Sequence, residues 1–461
     1  MCDFELGKVW PAGIASRTSK FFENAKNCLI MKPQNFQEAV IYYSIIGIYL
    51  LFFLSSQFIA VPMIAWGLLA YLVLDHFFLR PAKRSAVHIP IGVWVWVVAM
   101  LAILVALMVG LVNIDASLTR LIKSFINNFM RTWALLAVFP LIGCFQIRPQ
   151  IVSRAICLLA VQTLIILPFA YIMMTAGVEM PLYTISILSK IGGFSDLYYE
   201  VALHAVENIS GQSRLTMFAP WAPALACAAT VHMWLASYEK NVVLRWLGIG
   251  ANIILIIGSA SRLGQLCLVV LPLVRFSLIN LTRPMWLFGA AFAAFLASLQ
   301  SSRIVTGLTD LKIYFDNQRS ESSHVREVLA RVALNRWTDA PIWGHAMKAP
   351  GSQATRDMPI GSHHTWIGVL FTHGLVGTTA LFFAAAYTLV DLVIKSQGSK
   401  VSQVSLMVFL TMLAFSFGEN LETLAYMFWP GLVMLGIGLQ EPDRVFASAS
   451  DEPPLSVATH S

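Results

Sequence analysis

Residues 90–112 read PIGVWVWVVAMLAILVALMVGLV, without one charged side chain. A helix rises 1.5 Å per residue, so about 20 apolar residues cross the ~30 Å hydrocarbon core of a bilayer, and this run predicts a membrane span. Working outward, comparable apolar runs recur near 39–57, 58–79, 131–147, 151–174, 216–236, 243–260, 263–280, 284–300, 366–394, 402–417 and 423–440. The sequence therefore predicts an all-α polytopic membrane protein with about twelve transmembrane helices. Composition agrees: 57% of the 461 residues are hydrophobic and 12% charged, against roughly 45–50% and about 25% in soluble domains. That excludes an ordinary cytosolic enzyme.

The net charge of +7 is modest for the length and reports orientation before any nucleic-acid partner, and no nucleic acid is expected. With the N-terminus inside, 17 of the 31 Lys and Arg fall in or beside cytoplasmic segments, Arg80, Lys83 and Arg84 among them. Among short loops the bias is 11 inside against 4 outside, so both termini are expected to be cytoplasmic. Residues 1–38 form a cytoplasmic tail with no apolar stretch typical of a cleavable signal. Phe21, Phe22, Leu29 and Ile30 among Lys20, Lys26 and Lys32 are read either as an interfacial helix or as a solvated tail. Residues 441–461 read as a disordered cytoplasmic tail. The six cysteines lie in the N-terminal tail or inside apolar runs, which excludes a disulfide framework in the loops, and no C-x-x-C pair marks a thiolate metal site.

Spans one to nine occupy 39–300 and spans ten to twelve 363–440, separated by a long outside loop over about 301–362. In that loop Val325, Val328, Leu329 and Val332 recur at helical spacing with Arg326, Glu327, Arg331 and Arg336 between them. This predicts an amphipathic helix ending before Pro341-Ile342-Trp343-Gly344. His363, His364, Thr365 and Trp366 follow at the outer edge of span ten. Arg262 stands in the tight outside turn Gly258-Ser259-Ala260-Ser261-Arg262, and Arg214 opens span six on the same side. A charge this close to hydrocarbon is paired, lines a cavity or acts on a ligand. Arginine's planar fork matches phosphate oxygens, so Arg214, Arg262, Arg326 and His363 on one face point to an anionic head group, above all a diphosphate. Arg120, Arg131 and Arg303 are expected to snorkel, and His364 and His373 to pack or hydrogen-bond. No H-E-x-x-H spacing or outside D-x-D pair suggests a metal, and no nucleotide-binding glycine motif occurs.

These residues resemble the O-antigen ligase and polymerase superfamily of bacterial envelope glycosyltransferases. The run from His363 through Thr365-Trp366 to His373-Gly374-Leu375-Val376-Gly377 is similar to that family's His-Asn, apolar residues and Gly-Leu-x-Gly, although His364 replaces the Asn. Arg326 with the following helix and Pro341-Ile342-Trp343-Gly344 resembles its loop segment, with His345-Ala346 where a Gly-x-Gly ending is common. Ser261-Arg262 and Arg214-Leu215-Thr216 resemble its other arginine motifs, and the likeness covers roughly residues 40–440. The resemblance implies a GT-C-like fold in a bacterial inner membrane with the site facing the periplasm. It implies an inverting transfer, without metal or cofactor, from a polyprenyl-diphosphate (undecaprenyl-diphosphate) glycan donor. The acceptor is a second glycan for a polymerase, or lipid A–core for a ligase. Arg214 and Arg262 would stabilise the leaving diphosphate, and His363 would either take the acceptor proton or hydrogen-bond the diphosphate. Arg326, His364, Arg331 and Trp366 are the expected substrate-binding residues. A lipid-linked oligosaccharide flippase is the alternative of another class.

Overall fold

The computed structural model describes residues 31–76, 87–206, 211–317, 320–352, 355 and 358–443. The expectations for residues 1–30, for Arg80, Lys83 and Arg84, and for the tail beyond residue 443 lie outside the described residues. In chain order come α1 (Phe36–Ile46), α2 (Ile48–Phe53), α3 (Gln57–Leu74), α4 (Ile91–Asn113) and α5 (Leu118–Ser124). A π-helical turn (Phe125–Trp133) leads into α6 (Leu135–Gly143) and α7 (Pro149–Thr175). Two small antiparallel pairs follow: β1 (Tyr183–Thr184) with β2 (Glu200–Val201) around α8 (Ser186–Gly192), and β3 (His204–Val206) with β4 (Ser213–Leu215). The rest is helical: α9 (Ala222–Ala236), α10 (Val242–Gly258), α11 (Arg262–Leu278), α12 (Pro284–Leu299), α13 (Ser301–Asn317), α14 (Ser320–Trp337), α15 (Thr365–Ser396), α16 (Lys400–Phe415) and α17 (Leu421–Gln440).

The chain is thus mostly helical with little sheet, as an all-α membrane protein requires, because a bilayer offers the backbone no outside partners. Among the described residues five helices, α3, α4, α7, α15 and α17, are long and apolar enough to cross a membrane. Two bent pairs raise this to seven if each is one span: Leu118–Trp133 with α6, bent by 46°, and α12 with Ser301–Gly307, bent by 82°. Shorter apolar helices are α9, α10 and α16. Each apolar run read from the sequence is helical over most of its length. The run 39–57 divides at Gly47 into α1 and α2.

The core is built around α17, whose membrane-length window is wholly buried. Its glycines admit close neighbours: a side chain at Gly436 would strike the Pro140 carbonyl on α6, and one at Gly438 would strike Ser405 on α16. Small residues at such crossings let helix backbones approach where no hydrophobic effect drives association. By contrast α12 has no buried residue at all.

Polar contacts gather the connections at two ends. At one, Arg148 pairs with Glu38, Gln440 bonds the His88 carbonyl, Ser399 bonds Glu441, and Gln397 bonds the Leu278 carbonyl. At the other, the segments around 199, 221, 326, 348, 365 and 416–422 meet through the contacts described next. The amphipathic helix forms as α14, with Val325, Leu329 and Ala333 buried against Ile360 and Phe371 and Val332 half-buried. It ends at Trp337, before Pro341. The same loop also carries a second helix, α13, which the spacing of its apolar residues did not announce.

Candidate active site

The site is built on a break in α15. Gly374 leaves helical geometry (φ 61°, ψ −158°), and residues 341–346 lie in the gap. In an unbroken helix the Leu375 and Val376 N–H groups would donate to Phe371 and Thr372. Here the His345 and Ala346 N–H groups donate to those two carbonyls, at 2.9 and 2.8 Å. Leu375 and Val376 donate instead to Pro341 and Ile342, at 2.9 and 3.2 Å. Two helical hydrogen bonds are replaced by four, so the break leaves no orphan among these groups. Gly344 (φ 70°) is needed there, since a Cβ would sit 2.5 Å from the backbone nitrogens of His373 and Gly374. The Pro341–Gly344 segment and the His373-Gly374-Leu375 segment are thus two halves of one clamp.

The chain then turns back through the Ala349–Ile360 bridge and delivers His363 to the head of α15. His363 has φ 62°, a conformation costing a non-glycine residue about 1–3 kcal/mol and concentrated at functional sites. Burial pushes its imidazole down to about 4, and the positive charges of Arg326 and Lys348 act in the same direction. At neutral pH it is an uncharged imidazole beside two cations, able to accept a hydrogen bond.

His364 caps α15, its Nδ1 accepting the Ile367 N–H at 3.3 Å, with its ring edge-on to Phe417 at 5.8 Å. Asn, a preferred N-cap, could fill the same capping position. Trp366 donates through Nε1 to Ser416 Oγ at 2.8 Å. Thr365 N–H donates to the Ser416 carbonyl at 2.9 Å, and Thr365 Oγ1 donates to the Glu419 carbonyl at 2.7 Å. The head of α15 is therefore tied to the turn between α16 and α17.

That turn carries Glu419, a fully buried carboxylate that accepts from Trp221 Nε1 at 2.9 Å and pairs with Arg326 Nη2 at 3.4 Å. Burial raises its pKa, against the pull of Arg326 and Trp221. The Arg326 side chain is still 46% exposed, which leaves donors for another anion. Gly418 connects a third element: the point where its side chain would begin is 3.6 Å from Leu263 and 3.7 Å from Arg326 Nη1. Arg262, beside Leu263, opens α11 after Ala260 (φ 49°), and Ser261 Oγ caps the helix by accepting the Gly264 N–H at 3.4 Å. Arg214 stands on β4 next to Leu215, which packs on Gly258 at the start of that same turn. Arg214 and Arg262 are half-buried.

Of the residues read from sequence, His363 and Arg326 are brought together; Leu263, the neighbour of Arg262, approaches Gly418, and Leu215, the neighbour of Arg214, packs on Gly258. His364 and Trp366 position the head of α15. Arg331 lies on the exposed face of α14, bonded to Glu327 at 3.0 Å. Sequence reasoning passed over Lys348, Glu419 and Trp221. A carboxylate in the short connection between two apolar runs, on the side that collects the arginines, was the signal for Glu419. Arg131, expected to snorkel, is turned inward instead. Its guanidinium lies 4.5 Å over the Phe58 ring and donates to Tyr199 Oη at 3.1 Å and Asn127 Oδ1 at 3.0 Å. Arg120 and Arg303 are exposed. Cys144, Cys157, Cys227 and Cys267 are free and buried. Among the described residues no group of three His, Cys, Asp or Glu is arranged to hold a metal ion. Compared with models of known protein families the chain matches none, and comparison with curated proteins finds no relative.

Proposed function

We propose that the chain is an integral-membrane glycosyltransferase that polymerises polyprenyl-diphosphate-linked repeat units into an exopolysaccharide, capsule or O-antigen chain. The observation that supports this most is the rim formed by an uncharged imidazole at His363 with Arg326 and Lys348 beside it. As the glycosidic bond breaks, negative charge grows on the lipid diphosphate, and fixed guanidinium donors stabilise it most in the transition state. Burial is the main cause of the low His363 pKa, and a diphosphate arriving at the rim offsets the smaller contribution of the two cations. The imidazole then becomes a stronger acceptor for the proton of the acceptor hydroxyl. No bound metal is required for this sequence.

The proposal includes a GT-C-like arrangement with twelve crossings, both termini cytoplasmic, and the rim facing the periplasm of a bacterial inner membrane. The structure supplies five membrane-length helices, seven with the two bent pairs, and three shorter apolar helices among the described residues, so twelve crossings would need further short helices such as α1 and α11 to span as well. The test is reconstitution of purified protein in vesicles with an undecaprenyl-diphosphate oligosaccharide and a chelator, reading glycan length on a gel. A ladder of lengthened glycan is expected. Transfer only to added lipid A–core would make the enzyme a ligase. No covalent product with any acceptor would overturn the reading and favour transport.

A further inference from the structure

Beneath the rim, at the break in α15, lies a cavity of about 170 Å³ whose wall includes Asn128, Trp133, Lys348, His373 and Glu422. His373 and Glu422 are 3% and 7% exposed, yet His373 Nε2 and Glu422 Oε2 have no hydrogen-bonding partner. Their other polar atoms are engaged. Glu422 Oε1 holds Lys348 Nζ at 3.5 Å. His373 Nδ1 lies 2.7 Å from Thr372 Oγ1, and that hydroxyl already donates its single proton to the Gly368 carbonyl at 2.6 Å. The ring therefore carries its proton on Nδ1 and offers Nε2 as an acceptor.

Two buried acceptors thus face one cavity, and buried polar groups left unmatched are costly unless a ligand or water completes them. The missing partner must bring donors. An anion is disfavoured, because it would meet a carboxylate oxygen and a nitrogen lone pair. Trp133, edge-on to His373 at 5.6 Å, and Phe194 supply apolar wall. Adjacent donors at the edge of a ring with apolar faces describe a pyranose, whose hydroxyls project from a C–H surface. Lys348 belongs both to this wall and to the surroundings of His363, so the cavity neighbours the reacting end of the site.

We propose that this cavity is the subsite for the acceptor sugar: His373 Nε2 and Glu422 Oε2 accept hydrogen bonds from two hydroxyls of its terminal pyranose, while the donor diphosphate stays on the arginine rim. The assignment rests on the glycosyltransferase reading and is tested apart from it. Full-length protein in lipid nanodiscs is examined by saturation-transfer NMR against methyl glycosides of glucose, galactose, mannose, rhamnose and N-acetylglucosamine, with inorganic diphosphate as competitor. At least one glycoside is expected to bind, to survive diphosphate, and to weaken about tenfold in Glu422→Gln and His373→Gln, the equivalent of one lost hydrogen bond. Asn128→Leu, at a half-buried wall position, narrows the cavity without touching its buried acceptors and should give the same loss if either of the others fails to fold. In the transfer assay His373→Gln and Asn128→Leu should raise acceptor KM about tenfold and leave donor KM unchanged. No glycoside signal, a signal unaffected by the folded variants, or displacement by diphosphate would overturn the subsite, leaving a water-filled cavity or an anion site. Transfer with unchanged acceptor KM would remove the subsite and leave the reaction standing. Glycoside binding lost in the variants, with no transfer by the wild type, would support the subsite and remove the reaction.

Discussion

Replacing Gly344 by Ala strikes the clamp that locates the site. The new Cβ would start 2.5 Å from two backbone nitrogens of α15, whereas ordinary contact begins at 3.4 Å, so the inserted segment must retreat by about 0.9 Å (3.4 less 2.5). The hydrogen bonds from His345 and Ala346, which follow Gly344 directly, are the first to open. Losing both costs about 1–3 kcal/mol at 0.5–1.5 each, and holding alanine at positive φ costs about 1–2 more. Together the destabilisation is about 2–5 kcal/mol. Because Lys348, which acts on His363, follows the displaced segment closely, a shift of about 1 Å should also lower transfer roughly 10²-fold. Thermal melts in nanodiscs and the glycan-length assay read the two effects. Gly289→Ala, where a Cβ meets open space on α12, serves as the control and should match the wild type in both. A Gly344→Ala protein that melts and transfers like the wild type would show that the clamp does not hold the site.

Arg326→Met removes one of the two cations acting on His363, so the imidazole should titrate nearer 6.5 in NMR of histidine-labelled protein; an unmoved titration would separate the two residues. Since folded His363 titrates at about 4 and an unfolded His near 6.5, the unfolded chain binds more protons between those values. Its contribution to stability is complete above pH 6.5 and is lost as pH falls toward 4, and the acid limb of kcat/KM should likewise lie near 4; a limb at 6.5 would contradict the site. His364→Asn should preserve the N-cap and the melting temperature, whereas His364→Ala should cost about 0.5–2 kcal/mol, and equal melts would remove the capping role. Arg262→Lys should lower transfer roughly 10²–10³-fold while Arg331→Ala stays within about threefold of wild type, and the reverse order would move the diphosphate site onto α14.

Helices were legible because the signal is local. An uncharged run such as 90–112 has no alternative in a bilayer, and Val325 with Leu329 marks the buried stripe of α14 whatever it packs on. The break in α15 was not legible, because Gly374 sits in an ordinary apolar pattern and its partner, Gly344, lies 30 residues upstream. The two motifs were visible separately, but their interlocking is a tertiary fact. Arg131 was misread for a related reason: its partners Phe58 and Tyr199 come from distant segments, and a tail-end arginine looks identical before they arrive. His363, Arg262 and Arg214 stood out by residue type beside hydrocarbon. Glu419 could have been flagged by the same reasoning, as a carboxylate in a short connection between two apolar runs, whereas Lys348 acquires meaning only from its neighbours.

The unpacked helix α12 has a consequence for what the protein senses. Seven of its large side chains, Met285, Leu287, Phe288, Phe292, Phe295, Leu296 and Leu299, are exposed, so its natural solvent is acyl chain. Sixteen residues extend about 24 Å, some 6 Å short of an average hydrocarbon core, before the 82° turn into α13. Mismatch of that size costs roughly 1–3 kcal/mol at tenths of a kcal/mol per Å. With the chain embedded in a bilayer, acyl-chain length bears first on α12 and on its turn into α13, which makes bilayer thickness a variable to control in the transfer assay.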